Sequence, residues 1–305
     1  ARRKFDFFTF NNIVGRSGRM FEHFVGHIYL FHDAPSEQLP MIDIPAFTQS
    51  DEAPEMLLLQ MDETDWTERS RSRLSSVLDQ KVLPASLLRE NHGINPDHQV
   101  ELARTIRENL EEYLPDLQWW GLPTYQQLKT CCELIHDHFV RSRQRRHGVS
   151  SPAQLTFLIN RFIRERSVRA VIDDELSNNR ERKPEDADTV VEAVLDFVRY
   201  WASYNFPKYL RALHRIQDHI LSEAGVRPGD YTVLATQVEN FFLDPAVFAL
   251  DEYGIPIEVG RKIQDVLAPD GDLDVALRRL RALDMSALDL TAFERQLIRD
   301  AMAYV

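Results

Sequence analysis

The sequence predicts a mainly α-helical protein that begins with a short α/β segment. Apolar residues recur at helical spacing through most of the chain, as at Val100, Ala103 and Ile106. Two short runs near the start, Phe5–Phe10 and Val25–Phe31, are rich in the aromatic and β-branched residues typical of strands. The predicted fold class is therefore mainly α, with the end of an α/β domain placed before a helical body.

The composition is that of a globular chain with unevenly placed charge. The 305 residues are 44% hydrophobic and carry a net charge of −12, which argues against a simple nucleic-acid-binding module because such modules are basic. Residues 141–169 nevertheless hold eight arginines and one acidic residue, a net +7, and residues 1–19 carry +4. The sequence shows no run of 18 apolar residues and no signal peptide. Its two cysteines are adjacent rather than spaced as a pair, so we expect a reducing, cytoplasmic setting.

Start and stop signals divide the chain from residue 35 onward. We predict a connector at 35–65 with a short strand or helix near Met56–Met61, a helix-turn-helix or winged-helix-like unit at 66–122, and a helical bundle at 123–305. Residues 171–187 are charged and contain Pro184, so they are predicted as a surface loop. Helix starts are predicted at Asn95-Pro96, Thr124, Ser151-Pro152, Pro207 and Thr291.

The most informative motif is Asn12-Ile13-Val14-Gly15-Arg16-Ser17-Gly18-Arg19, which lies between the two predicted strands. Glycines allow a loop to turn tightly beside a nucleotide. Guanidinium groups stabilise the charge that develops on γ-phosphate oxygens during phosphoryl transfer. The pattern resembles the sixth conserved motif of superfamily 2 helicases, usually Q-x-x-G-R-x-G-R, in their second RecA-like domain. The alternative is a basic turn between two strands.

This resemblance implies an ATP-dependent nucleic-acid helicase in which residues 1–34 are the C-terminal remnant of a RecA-like α/β domain. It implies that Arg16 and Arg19 are catalytic, with Arg19 as the arginine finger. It also implies that Asn12, Gly15 and Gly18 lie against the bound nucleotide. Asn12 stands where the family has glutamine, which keeps the amide but shortens its reach.

The chain contains no G-x-x-x-x-G-K-[ST] phosphate loop and no DExH or DExD run after a strand. We therefore expect that it does not hydrolyse ATP alone, and that ATP and Mg²⁺ are held mainly by upstream RecA-like domains. A sixth motif followed by a winged-helix-like unit and a helical bundle resembles processive unwinding helicases with a ratchet domain. The segment Leu250–Ile257 resembles large bacterial helicases of antiphage defence systems such as Hachiman, which implies a nuclease-type partner and DNA as the substrate.

An arginine-rich strip is the predicted contact for single-stranded or partly duplex nucleic acid, because each arginine can neutralise one phosphate. The alternative is a solvated surface, or salt bridges with the acidic body. Its members are Arg141, Arg143, Arg145, Arg146, Arg161, Arg164 and Arg169.

The aromatic residues of the helical body are assigned mainly to packing. Trp201 continues an apolar stripe and is expected in the core, whereas Tyr200 and Tyr204 lie on another face and are more open to stacking on bases. We expect the pair Trp119-Trp120 to close a helix end onto the core rather than to act as a wedge against a duplex.

No metal site is predicted. The cysteines of the group Cys131, Cys132, His136 and His138 lie on an apolar helical stripe, and the chain offers no second cysteine pair to complete a structural zinc site. The alternative to the helicase is a non-enzymatic α-helical scaffold that binds DNA or protein.

Overall fold

The mainly α-helical prediction is confirmed in the part of the chain that the structure describes. The computed structural model describes residues 54–140, 148–182, 187–267 and 271–304, all within the unit Glu52–Val305. In these ranges the regular elements are helices, and the β-pairing consists of one isolated parallel bridge between Trp120 and Asp230. The two predicted strands and the proposed remnant of a RecA-like domain lie outside the described residues.

Local start signals explain the first helices. Asn95 caps its helix by accepting a hydrogen bond from the Asp97 amide, with Pro96 at the first position, as predicted. The helix that carries the apolar stripe of Val100, Ala103 and Ile106 ends at Glu108, and after Asn109 a second helix begins at Leu110. The range 66–122 is helical in all its regular elements. The helices are α1 (Glu55–Leu58), α2 (Glu68–Leu78), α3 (Ala85–Glu90), α4 (Pro96–Glu108) and α5 (Leu110–Leu117), with a 3₁₀ turn at Glu63–Asp65.

Two of the central helices also begin at predicted caps. Thr124 and Gln127 form a complete capping box, and the Ser151 side chain accepts a hydrogen bond from the Gln154 amide. A π-helical segment, Val198–Asn205, joins two other central helices without a loop. The six central helices are α6 (Tyr125–Phe139), α7 (Pro152–Glu165), α8 (Val168–Arg182), α9 (Ala187–Phe197), α10 (Phe206–Glu223) and α11 (Thr232–Glu239).

The prediction of a surface loop at 171–187 is wrong, because α8 extends to Arg182. The apolar periodicity of this segment is weak, so the sequence does not signal a helix. Its Asp174 and Glu175 pair instead with Arg161 of α7, and Val171 is buried. Tertiary contacts of this kind stabilise helices that sequence periodicity alone does not reveal.

The described helices form two hydrophobic clusters. The first extends from Leu58 to Phe241 and crosses the predicted boundary at 122/123, with Trp201 fully buried in it. The second extends from Leu243 to Ala301. Its elements are α12 (Pro245–Ala249), α13 (Ile257–Leu267), α14 (Leu273–Arg281) and α15 (Ala292–Tyr304), with 3₁₀ turns at Leu250–Tyr253 and Met285–Ala287. None of the helices in the described part is long and apolar enough to cross a membrane.

A strained turn separates the two clusters. Phe241 and Phe242 both have left-handed backbones, with φ of 54° and 59°, a conformation that costs roughly 1–2 kcal/mol per non-glycine residue. Both rings pack edge-on against Phe162, with centroids 5.9 and 5.6 Å away. The Arg261 guanidinium donates a 2.8 Å hydrogen bond to the Phe241 carbonyl. These contacts offset the strain and hold the turn.

Candidate nucleic-acid interface

The structure describes part of the predicted interface. The motif Asn12–Arg19 precedes the first described residue, so the roles of Asn12, Gly15, Arg16, Gly18 and Arg19 stay predictions. Four arginines of the strip also lie outside the described residues, namely Arg141, Arg143, Arg145 and Arg146. The described part contains the remaining three, on α7 and at the start of α8.

Arg161 lies inside the protein rather than on an open surface. Its side chain is 5% exposed, and its guanidinium pairs with Asp174 at 2.7 Å and with Glu175. A further hydrogen bond of 3.1 Å reaches the carbonyl of Val171. The guanidinium therefore links α7 to α8, since its two terminal nitrogens, Nη1 and Nη2, donate to protein oxygens rather than to solvent.

Arg164 and Arg169 have the exposure that a phosphate contact requires. Their side chains are 65% and 75% exposed. Arg164 lies 3.3 Å from Glu165, and Arg169 lies 3.8 Å from Asp173. Exposed pairs of this kind contribute about 0–1 kcal/mol, so a nucleic-acid phosphate would compete with them at little cost.

The three aromatic residues near the π-helical segment differ in burial. Trp201 is fully buried, which confirms its predicted place in the core. Tyr200 is half-buried, and Tyr204 is exposed. The Lys208 ammonium lies 4.8 Å from the centre of the Tyr204 ring, and desolvation lowers the Lys208 pKa. Of the three, Tyr204 is the most accessible ring for stacking.

The pair Trp119-Trp120 is divided between core and surface. Trp119 is buried and stacks on Tyr231, with ring centroids 4.3 Å apart and planes at 15°. The Tyr231 hydroxyl donates a 2.7 Å hydrogen bond to the carbonyl of Leu117, at the end of α5. Trp119 thus closes a helix end onto the core, as predicted, whereas Trp120 is 46% exposed.

Arg227 is a surface residue that the sequence analysis did not single out. Its guanidinium carbon lies 4.3 Å from the centre of the Trp120 ring. The two residues are 107 positions apart, and no periodicity joins them. The only local signal is the turn sequence Arg227-Pro228-Gly229, which marks a loop but does not show what that loop contacts.

The adjacent cysteines are packing residues. Both thiols are fully buried, and burial raises the pKa of Cys131 to about 12 and raises that of Cys132 further. Thiolates are the reactive and metal-binding form of cysteine. In the ranges that the structure describes, no group of three or more His, Cys, Asp or Glu side chains is arranged to hold a metal ion.

The described part is thus a helical body with exposed arginine and aromatic side chains, and comparison with known proteins adds one relative. The chain is similar to Anti-bacteriophage protein B of Escherichia coli (strain K12), with 26% identity over 312 residues. The alignment covers 98% of this chain but 42% of that protein, so the chain spans less than half the length of its relative. No protein-family model and no solved structure matches the chain.

Proposed function

We propose that this chain is the C-terminal portion of an ATP-dependent nucleic-acid translocase or helicase that acts in defence against bacteriophage. The observation that carries the helicase part is the Asn12–Arg19 motif, with two arginines spaced for contact with a nucleotide. The defence part is supported by the likeness to Anti-bacteriophage protein B, which extends over almost the whole chain.

In this proposal Arg16 and Arg19 stabilise the charge on the γ-phosphate. ATP and Mg²⁺ are bound mainly by upstream RecA-like domains, and DNA is the expected substrate. A nuclease-type defence protein is a further expected partner, in the cytoplasm. Arg164 and Arg169 contact the phosphates of the strand, together with the arginines at 141–146. Arg161 positions α8 behind them and does not itself contact the strand.

The arginine-finger assignment is tested in the whole protein by Arg19→Ala and Arg19→Lys. Loss of a true finger slows ATP hydrolysis on the order of 10³-fold, and lysine does not restore it because its single ammonium lacks the planar fork. Arg3→Ala, outside the motif, is the matched control. Phage plating on cells that express each variant provides the second readout, and protection should fall with hydrolysis.

Full hydrolysis and full protection by Arg19→Ala would contradict the helicase assignment. That result would favour the non-enzymatic scaffold, in which the GRSGR sequence is a basic turn. The observation that favours this alternative is the overall charge of −12.

Strand contact is tested by fluorescence anisotropy with labelled single-stranded DNA over a range of salt concentrations. The double variant Arg164→Glu/Arg169→Glu should bind more weakly, with the slope of log K against log salt reduced by about 1.4, since each lost phosphate contact removes about 0.7. The control is Arg278→Glu/Arg299→Glu, which makes the same charge change at exposed positions of α14 and α15. Equal slopes for the two double variants would exclude Arg164 and Arg169 from the interface.

A further inference from the structure

The loop between α5 and α6 presents an indole on a rigid support. Trp120 is exposed, whereas its neighbour Trp119 is buried against Tyr231. The Asp230 amide donates a 2.9 Å hydrogen bond to the Trp119 carbonyl, and the Gln118 side chain donates a 2.7 Å bond to the Arg227 carbonyl. These contacts join the loop at 118–123, which carries the exposed ring, to the loop at 226–231.

Close packing beneath the two loops keeps them in this position. The Gln217 side chain of α10 both donates to and accepts from the backbone of Gly229, at 2.8 and 3.2 Å. A Cβ atom at Gly229 would overlap the Leu117 carbonyl oxygen, so only glycine allows this approach. Trp120 is therefore held on a fixed backbone and does not depend on a mobile segment for its orientation.

Arg227 gives this surface an available positive charge. It is exposed, and within the described ranges its guanidinium makes no ion pair; its contact there is the Trp120 ring. By contrast, the exposed Arg107 pairs with Glu223, and the half-buried Arg89 pairs with Glu63. A guanidinium on an aromatic ring keeps its edge donors free for a phosphate, to which it can donate two parallel hydrogen bonds.

Two carboxylates close in sequence to this pair, Asp116 and Asp230, make hydrogen bonds with other residues. Asp230 accepts hydrogen bonds from both the amide and the hydroxyl of Thr232, and these bonds lower the Asp230 pKa. Asp116 accepts from Gln126 and from Thr130. Neither carboxylate forms an ion pair with Arg227, so the guanidinium donors are open to a ligand.

We propose that Trp120 and Arg227 form a binding site for one unpaired nucleotide of a single strand, in which the base stacks on the exposed part of the indole and the guanidinium binds the adjoining phosphate. The inference rests on the proposed function, because it takes the substrate to be nucleic acid. It adds a site that is separate in the sequence from the arginine strip. Stacking of this kind tolerates any base, since every base offers an aromatic face.

The two side chains make different contributions, so two variants of the 305-residue chain separate them. Trp120→Ala should weaken binding of labelled oligo(dT) about ten-fold at every salt concentration, because stacking is not ionic. Arg227→Ala should weaken binding too, and unlike Trp120→Ala it should reduce the slope of log K against log salt by about 0.7. Phe293→Ala, which removes an exposed aromatic ring near the start of α15, is the control and should bind as the unchanged chain does. Circular dichroism checks that each variant is folded.

Tryptophan fluorescence provides an independent readout. The chain has four tryptophans, and Trp66, Trp119 and Trp201 are buried. Quenching by acrylamide therefore reports mainly on Trp120. Oligo(dT) should protect this signal from acrylamide, and Trp120→Phe should remove the protected component while retaining most of the affinity, because phenylalanine can still stack.

The outcomes distinguish this site from the proposed function. If the chain binds oligo(dT) through Arg164 and Arg169 but Trp120→Ala and Arg227→Ala bind normally, the inference is overturned and the proposed function stands. If the chain does not bind oligo(dT) at low salt, the proposed strand contact fails as well. If Trp120→Ala abolishes phage protection by the whole protein without changing DNA affinity, the surface contacts a protein instead, and the inference is again overturned.

Discussion

Replacing Arg161 tests whether this arginine supports the fold or contacts nucleic acid. Arg161→Met keeps most of the side chain's packing volume and removes its charge. The change leaves Asp174 and Glu175 without their cationic partner and removes the bond to the Val171 carbonyl. Removing one partner from a buried pair costs about 3–5 kcal/mol. Since the two carboxylates are 41% and 33% exposed, water solvates them in part, and we expect a loss of about 3 kcal/mol, at the lower end of that range.

Thermal unfolding measures this loss directly. For a domain of this size, about 3 kcal/mol corresponds to a decrease in Tm of roughly 6–12 °C. The matched control is Arg164→Ala, one turn along α7, whose exposed pair with Glu165 should contribute less than about 1 kcal/mol. Glu175→Gln in the Arg161→Met background should cost less than Glu175→Gln alone, because the interaction is already lost.

Two results would refute this reasoning. The first is a Tm for Arg161→Met that falls no further than that of Arg164→Ala. The second is a Tm close to that of the unchanged chain together with a strong loss of DNA binding. Either would mean that the ion pairs of Arg161 contribute little to folding, and the second would return Arg161 to the nucleic-acid interface.

Three further predictions concern the core. Gly229→Ala should lower the free energy of unfolding by about 3 kcal/mol through overpacking. The control is Gly121→Ala, which should cost about 1 kcal/mol because Gly121 has a positive φ but open space around it. Equal urea midpoints for the two variants would disprove the overlap between a Cβ atom at position 229 and the Leu117 carbonyl. Desolvation lowers the His214 pKa, so the unfolded chain binds a proton at His214 more readily than the folded chain does. The free energy of unfolding should therefore fall as the pH drops below about 6.5. Between about pH 7.5 and 5.5, His214→Gln should lose less of this free energy than the unchanged chain does. Cys131 and Cys132 should resist alkylation in the folded chain at about pH 8 and react in urea, as checked by mass spectrometry; rapid labelling without urea would contradict their burial.

Features that depend on neighbouring residues in the chain were predictable. Caps at Asn95, Thr124 and Ser151 mark helix starts because each side chain bonds a backbone amide two or three residues ahead. The apolar stripe through Trp201 likewise predicts burial, since helical spacing alone places those residues on one face. The Asn12–Arg19 motif could be recognised because it consists of consecutive residues, and its role stays a prediction.

The sequence by itself therefore determined a mainly helical chain, several helix starts and the burial of Trp201, because these depend on interactions within a few residues. Tertiary structure alone decided that Arg161 is buried against α8, that α8 is a helix, and that Trp120 meets Arg227 across 107 positions. An arginine on a helix has the same local pattern whether it faces water or two carboxylates. Its environment is set by which helix packs beside it, and that depends on the whole core.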